Sequence, residues 1–211
     1  MFEILENEVE AILLACVTIL AVLNPFGNLT QFLAMSQGLP LLLRKKLFRA
    51  ILYTGFIIVL VFLFTGPFFM SYVFRINLDD LRVGGGLILI VMSIKNLLFS
   101  AKTQDFSHFK TMSEKELLKQ SLVPMAFPML IGPGTLATVI VISELSGLLI
   151  ATFSVLASFL FLFILFHYAA TIEKILGTLI LHVIARITQV FIVAVGAKMM
   201  ITGLQGIFKL I

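Results

Sequence analysis

The sequence predicts an all-α membrane protein, and three observations carry the prediction. Apolar residues make up 60% of the 211 positions and charged residues only 12%. The mean hydropathy of the chain is +1.14. The apolar residues also fall into runs of about 20, the length a helix needs to cross a hydrocarbon core of roughly 30 Å. A soluble fold of this size requires far more polar residues to cover its outside. Divided by that yardstick, the chain holds six expected spans, over residues 9–37, 47–70, 80–99, 118–144, 148–170 and 187–208.

Taken in order, the amino-terminal "MFEILENEVE" carries Glu3, Glu6, Glu8 and Glu10 where a cleaved signal would carry Lys or Arg, so it is expected to be mature sequence. Span one is too long for a single crossing, since an unbroken helix over 9–37 would extend about 43 Å at 1.5 Å per residue. It contains "VLNPFGNLTQF", in which Pro25 removes a backbone donor and Gly27 permits unusual backbone angles, so the helix should break there. Asn28 or Thr30 is expected to cap the second half. Span two is the apolar run over 47–70. Span three opens with "RVGGGLILIVM", whose Gly84, Gly85 and Gly86 are expected to permit close helix approach.

The hydrophilic stretch that follows, 100–117, is expected to be a cytoplasmic linker between two three-helix halves, 1–99 and 118–211, with "SEKE" at 113–116 starting a helix. Span four contains "PMAFPMLIGPGT", a second concentration of Pro and Gly, with Thr135 as its expected cap. Span five is uninterrupted. Between spans five and six a short loop is expected to hold Lys174 and Arg186.

Short cytoplasmic loops are enriched in Lys and Arg, which supplies an orientation. With the amino terminus outside, the inner segments hold Arg44, Lys45, Lys46, Arg49, Lys102, Lys110, Lys115, Lys119, Lys174 and Arg186. The outer segments hold only Arg75, Arg82 and Lys209. Both termini are therefore expected outside, in a multi-pass protein of the cytoplasmic (inner) membrane. The net charge of +4 is explained by these borders, so no nucleic-acid partner is expected. Cys16, the single cysteine, is read as packing and excludes an intrachain disulfide.

The two breaks, at Asn24-Pro25 and Gly132-Pro133, are 108 residues apart, about half the chain. Three spans per half make the second copy enter from the opposite side, so the expected architecture is a 3+3 inverted repeat with helices 1 and 4 discontinuous. Irregular backbone at membrane depth is tolerated where protein or a water-filled cavity surrounds it. The breaks should thus line a cavity, with half-helix amino ends facing a carboxylate and unpaired carbonyls facing an ammonium. The candidate substrate-binding residues are Asn24, Pro25, Gly27, Asn28 and Thr30 at the first break, and Gly132, Pro133, Gly134 and Thr135 at the second.

At "NPFGN" (24–28), "RVGGGLILIVM" (82–92) and "PMAFPMLIGPGT" (124–135), the chain resembles the MarC family of bacterial and archaeal inner-membrane proteins, which includes the SnatA-type transporters of small neutral amino acids. The resemblance spans nearly the whole length. It implies alternating-access transport of glycine, alanine and similar amino acids, with protons as the candidate coupling ion. Carried onto this chain, it implies binding by Asn24, Gly27, Asn28, Gly132, Gly134 and Thr135. Phe26 departs from the smaller aliphatic residue usual in the family, and a ring facing the cavity would alter substrate size.

Few ionisable groups remain for coupling or gating, and the candidates are Glu144, Lys198 and His167. The sequence has no HExxH or paired-carboxylate pattern, so neither an enzyme, a metal site nor a cofactor is expected. Two alternatives stand beside the amino acid carrier: an exporter of another small solute, and a non-transporting scaffold. Oligomerisation is left open.

Overall fold

A computed structural model describes residues 2–98, 112 and 114–209 of the chain. Its order is α1 (Phe2–Leu23), α2 (Pro25–Met35), α3 (Leu41–Phe68), α4 (Leu78–Leu98), α5 (Glu114–Gln120), α6 (Pro133–Ser146), α7 (Leu148–His167) and α8 (Ala169–Lys209). A π-helical turn, Phe69–Phe74, extends α3, and an irregular segment, Ser121–Leu130, joins α5 towards α6. No strand occurs among the described residues. Apart from 112 and the start of α5, the expected linker lies outside the described residues.

Among the described residues, five helical stretches are long and apolar enough to cross a membrane: Asn7–Met35, Leu41–Phe74, Leu78–Leu98, Leu148–His167 and Ala169–Lys209. The expected fourth span differs, because its residues divide among α5, the irregular segment and the short apolar helix α6. Within Ser121–Leu130, Val123 and Phe127 adopt extended backbone angles, and the Phe127–Pro128 bond is cis. A proline-rich stretch cannot supply the ladder of N–H donors that a continuous helix needs.

Residues 171–186, expected as a loop, are helical. The interruption inside α8 is at Gly177, with φ 73° and ψ 160°, a conformation that favours glycine. Lys174, His182 and Arg186 therefore sit on helix and not in a loop. Arg44 of α3 reaches Glu173 of α8 at 2.9 Å, which accounts for a polar patch in this part of the helix.

The outward surface is apolar, with Leu42, Phe68, Leu149, Ile175 and Leu179 all more than half exposed. That inverts the pattern of a soluble protein and suits lipid as the solvent. Helices then associate through close packing and interhelical hydrogen bonds. Phe32 (α2), Phe48 (α3) and Phe166 (α7) form a ring cluster with centroids 5.7–6.4 Å apart. Ser154 and Ser158 of α7 donate to the carbonyls of Ile12 and Cys16 of α1 at 3.1 and 3.3 Å. On α4 and α8 the backbones meet directly: a Cβ on Gly86 would lie 2.5 Å from the Gly196 carbonyl oxygen. Gly85 is likewise closed in by Ala137 and Met199, whereas Gly84 faces open space and takes no part in the close approach.

Candidate functional site

The site is assembled around the joint between α1 and α2. Asn24 has left-handed backbone angles, φ 46° and ψ 65°, and its side-chain Oδ1 accepts from the Gly27 N–H at 3.2 Å. Asn24 is thus the cap of α2, in place of Asn28 or Thr30. Pro25, which has no N–H to satisfy, occupies the first turn. Asn28 lies inside the helix and donates its Nδ2 back to the Leu23 carbonyl at 2.6 Å, while the Thr30 hydroxyl donates to the Gly27 carbonyl at 2.8 Å. From α8, the Thr188 hydroxyl donates to Asn24 Oδ1 at 2.7 Å, so a neighbouring helix holds the joint in place.

The second break is built differently. Gly132 stands at the amino end of α6 in an extended conformation, no side chain caps it, and Pro133 again occupies the first turn. Thr135, expected as the cap, lies inside α6, and its N–H bonds the Gly132 carbonyl at 3.0 Å. The missing side-chain cap leaves this amino end open to an outside acceptor.

Both breaks face one cavity of about 360 Å³. It collects Asn24, Gly27, Asn28 and Thr30 from the first break, and Gly132, Gly134 and Thr135 from the second. Pro25 and Pro133 shape the breaks without lining the cavity, and Phe26 packs against the hydrophobic core. Glu144, His167 and Lys198 are exposed and lie outside the cavity lining. Gly134 is packed tightly against Leu89, so a bulky residue there would disturb the α4–α6 contact as well as fill the cavity.

Sequence reasoning missed the wall that α4 and α8 supply. Ser93, Lys95 and Asn96 come from α4, and His182, Arg186 and Gln189 from α8. Lys95, His182 and Arg186 supply basic side chains to the lining, and among the described residues no carboxylate belongs to it. Arg186 Nη1 donates to the Leu97 carbonyl at 2.9 Å, tying α8 to the end of α4. His182 Nδ1 is 2.6 Å from the Thr178 carbonyl; a bond there makes Nδ1 the protonated nitrogen. Gln189 is 7% exposed, and its Oε1 is buried without a hydrogen-bond partner. The helical spacing of 182, 185, 186 and 189 marks one face of α8, and that was the available signal.

Residues 9–208 match the profile described as MarC family integral membrane protein. The chain belongs to the MarC family. Among MarC-related sequences, it is 31% identical to the UPF0056 membrane protein YvbG of Bacillus subtilis over 204 residues, covering 92% of this chain and 94% of that one. It is 31% identical to the UPF0056 membrane protein PH0214 of Pyrococcus horikoshii, covering 72% and 73% of the two chains. To the UPF0056 membrane protein YhcE of Escherichia coli it is 28% identical, covering 89% of each. No solved structure matches. Membership in the MarC family and the apolar helices together make this a multi-pass integral membrane protein.

Proposed function

We propose that this protein is a secondary transporter of small neutral amino acids such as glycine and alanine, working by alternating access across the cytoplasmic membrane. The observation that carries the proposal is one cavity that receives both helix breaks, the uncapped amino end of α6 among them, and whose wall includes Gln189, with a buried Oε1 that has no hydrogen-bond partner among the described residues. A buried acceptor without a donor costs about 1–3 kcal/mol, a cost that a ligand N–H removes on binding. In this reading Gln189 accepts from the substrate ammonium, and the amino end of α6 faces its carboxylate. At the end of α1 the Leu23 carbonyl already accepts from Asn28, so in this reading Gln189 serves the ammonium. A volume of about 360 Å³ is near the lower end of ligand sites, which run about 300–1,000 Å³, and favours small substrates over drug-sized ones.

Pairwise packing supports the 3+3 inverted repeat, with halves at 1–99 and 118–211. α1 packs on α7, and Ser121–Leu130 packs on α3; α2 packs on α8, and α6 packs on α4. Exchanging the halves turns each contact of these pairs into the other. The same reading makes helices 1 and 4 the discontinuous pair and puts both termini outside. For proton coupling it favours His182, which lines the cavity, over His167, Glu144 and Lys198, which do not. No covalent chemistry is assigned to the chain.

A second reading is favoured by the basic lining: a carrier of small carboxylates that lack an amine. Uptake of radiolabelled glycine into proteoliposomes, with counterflow and with an imposed proton gradient, separates the two. Saturable uptake competed by alanine and unaffected by acetate supports the first. Competition by acetate as strong as that by alanine favours the second. No saturable uptake of glycine by folded, inserted protein overturns the first.

A further inference from the structure

A second cavity, of about 290 Å³, lies against Phe48 and Phe166 of the aromatic cluster, between the amino end of α3 and the carboxyl end of α7. From α3 it receives Lys45, Phe48, Arg49 and Leu52, whose spacing of three, four and seven residues puts them on one helix face. From the end of α7 come Phe163, Phe166, His167 and Tyr168. The base is stiff: Phe48 and Phe166 meet edge to face at 5.7 Å, and His167 and Tyr168 meet the same way at 4.9 Å.

Among the described residues, no carboxylate lines this cavity. The nearby Glu173 is engaged by Arg44 at 2.9 Å, so it does not neutralise Lys45 or Arg49. Both of those side chains are exposed, and neither makes a hydrogen bond or ion pair among the described residues. The amino end of α3 has no side-chain cap, which adds the positive end of its dipole. The last-turn carbonyls of Ile164 and Phe166 both accept from the Tyr168 N–H, which limits their repulsion of an anion.

We propose that this groove binds an anionic phospholipid, with its phosphate held by Lys45, Arg49, His167 and Tyr168. The second half of the argument lies along the membrane-facing seam. Continuing from the cavity, α3 exposes Tyr53 and Ile57 at 57% and 58%, and α7 exposes Leu160 and Ile164 at 62% and 53%. Tyr53 packs on Phe163 at 4.8 Å, so the two helices run side by side here with no gap between them. A basic head site continuous with an apolar track matches the two ends of a phospholipid; a free phosphate would use only the first. The assignment does not depend on what the central cavity carries.

The test is native mass spectrometry of protein released from nanodiscs of equal phosphatidylglycerol and phosphatidylcholine. Wild type should retain phosphatidylglycerol in preference to phosphatidylcholine. Lys45→Ala with Arg49→Ala should lower that preference roughly 20-fold, while Lys174→Ala, an exposed lysine outside the groove, should leave it unchanged. If the double variant is misfolded by circular dichroism, Arg49→Gln alone should lower the preference about fivefold. Equal retention of the two lipids by wild type, or an unchanged preference in the folded variants, overturns the site. Displacement of the lipid by millimolar glycerol 3-phosphate overturns the role of the apolar track.

Discussion

Asn24 brings together three demands at one position: a left-handed backbone, a helix cap and an acceptor for the hydroxyl of α8. Alanine would remove a cap worth about 1 kcal/mol and would sit in left-handed geometry at a cost of about 1–2 kcal/mol more. Asn24→Ala should therefore lower the thermal unfolding temperature in detergent, and Thr188→Val should lower it less. Gln189 should behave in the opposite way. Its Oε1 has no intramolecular bond to lose, so Gln189→Leu should leave the unfolding temperature unchanged or raise it. Glycine affinity, measured by calorimetry or by protection against thermal unfolding, should fall about tenfold. A fall in both quantities would make Gln189 a structural residue. Neither role of Asn24 could be assigned from sequence, because a cap and a mid-helix asparagine share one composition and differ only in backbone angle.

The spans were the most legible elements, since apolar run length governs them directly, and α3, α4 and α7 lie close to where hydropathy put them. The extent of α8 was not legible, because Lys174, His182 and Arg186 look like a polar loop in one dimension. In the fold, His182 and Arg186 face a cavity, and the break falls at Gly177. The glycines opening α4 were legible as a group, but not one by one. Gly86 meets the Gly196 carbonyl at a distance no Cβ could occupy, while Gly84 has open space. Gly86→Val should force α4 from α8 and cost about 1–3 kcal/mol or more, seen as a lower unfolding temperature. Gly84→Ala should be neutral or slightly stabilising in the same assay.

At the scale of the whole molecule, the two breaks were legible as lining one cavity because proline and glycine are strong punctuation in an apolar run. The wall from α4 and α8 was hidden: Lys95 and Gln189 are 94 residues apart, and only folding places them on one cavity. On the proposed carrier reading, that wall would set a charge preference among substrates. Glycine and alanine should compete for uptake, whereas lysine and arginine should fail to compete even at about tenfold higher concentration, as repulsion by the basic lining demands. The same absence of carboxylates has an electrical consequence. A zwitterion brings no net charge into the cavity, so the full and the empty carrier would move the same fixed charge when they reorient. The membrane voltage would act equally on the outward and return strokes, and the substrate would contribute nothing to a steady current. Any current recorded during turnover would then count the coupling ions themselves, one charge at a time.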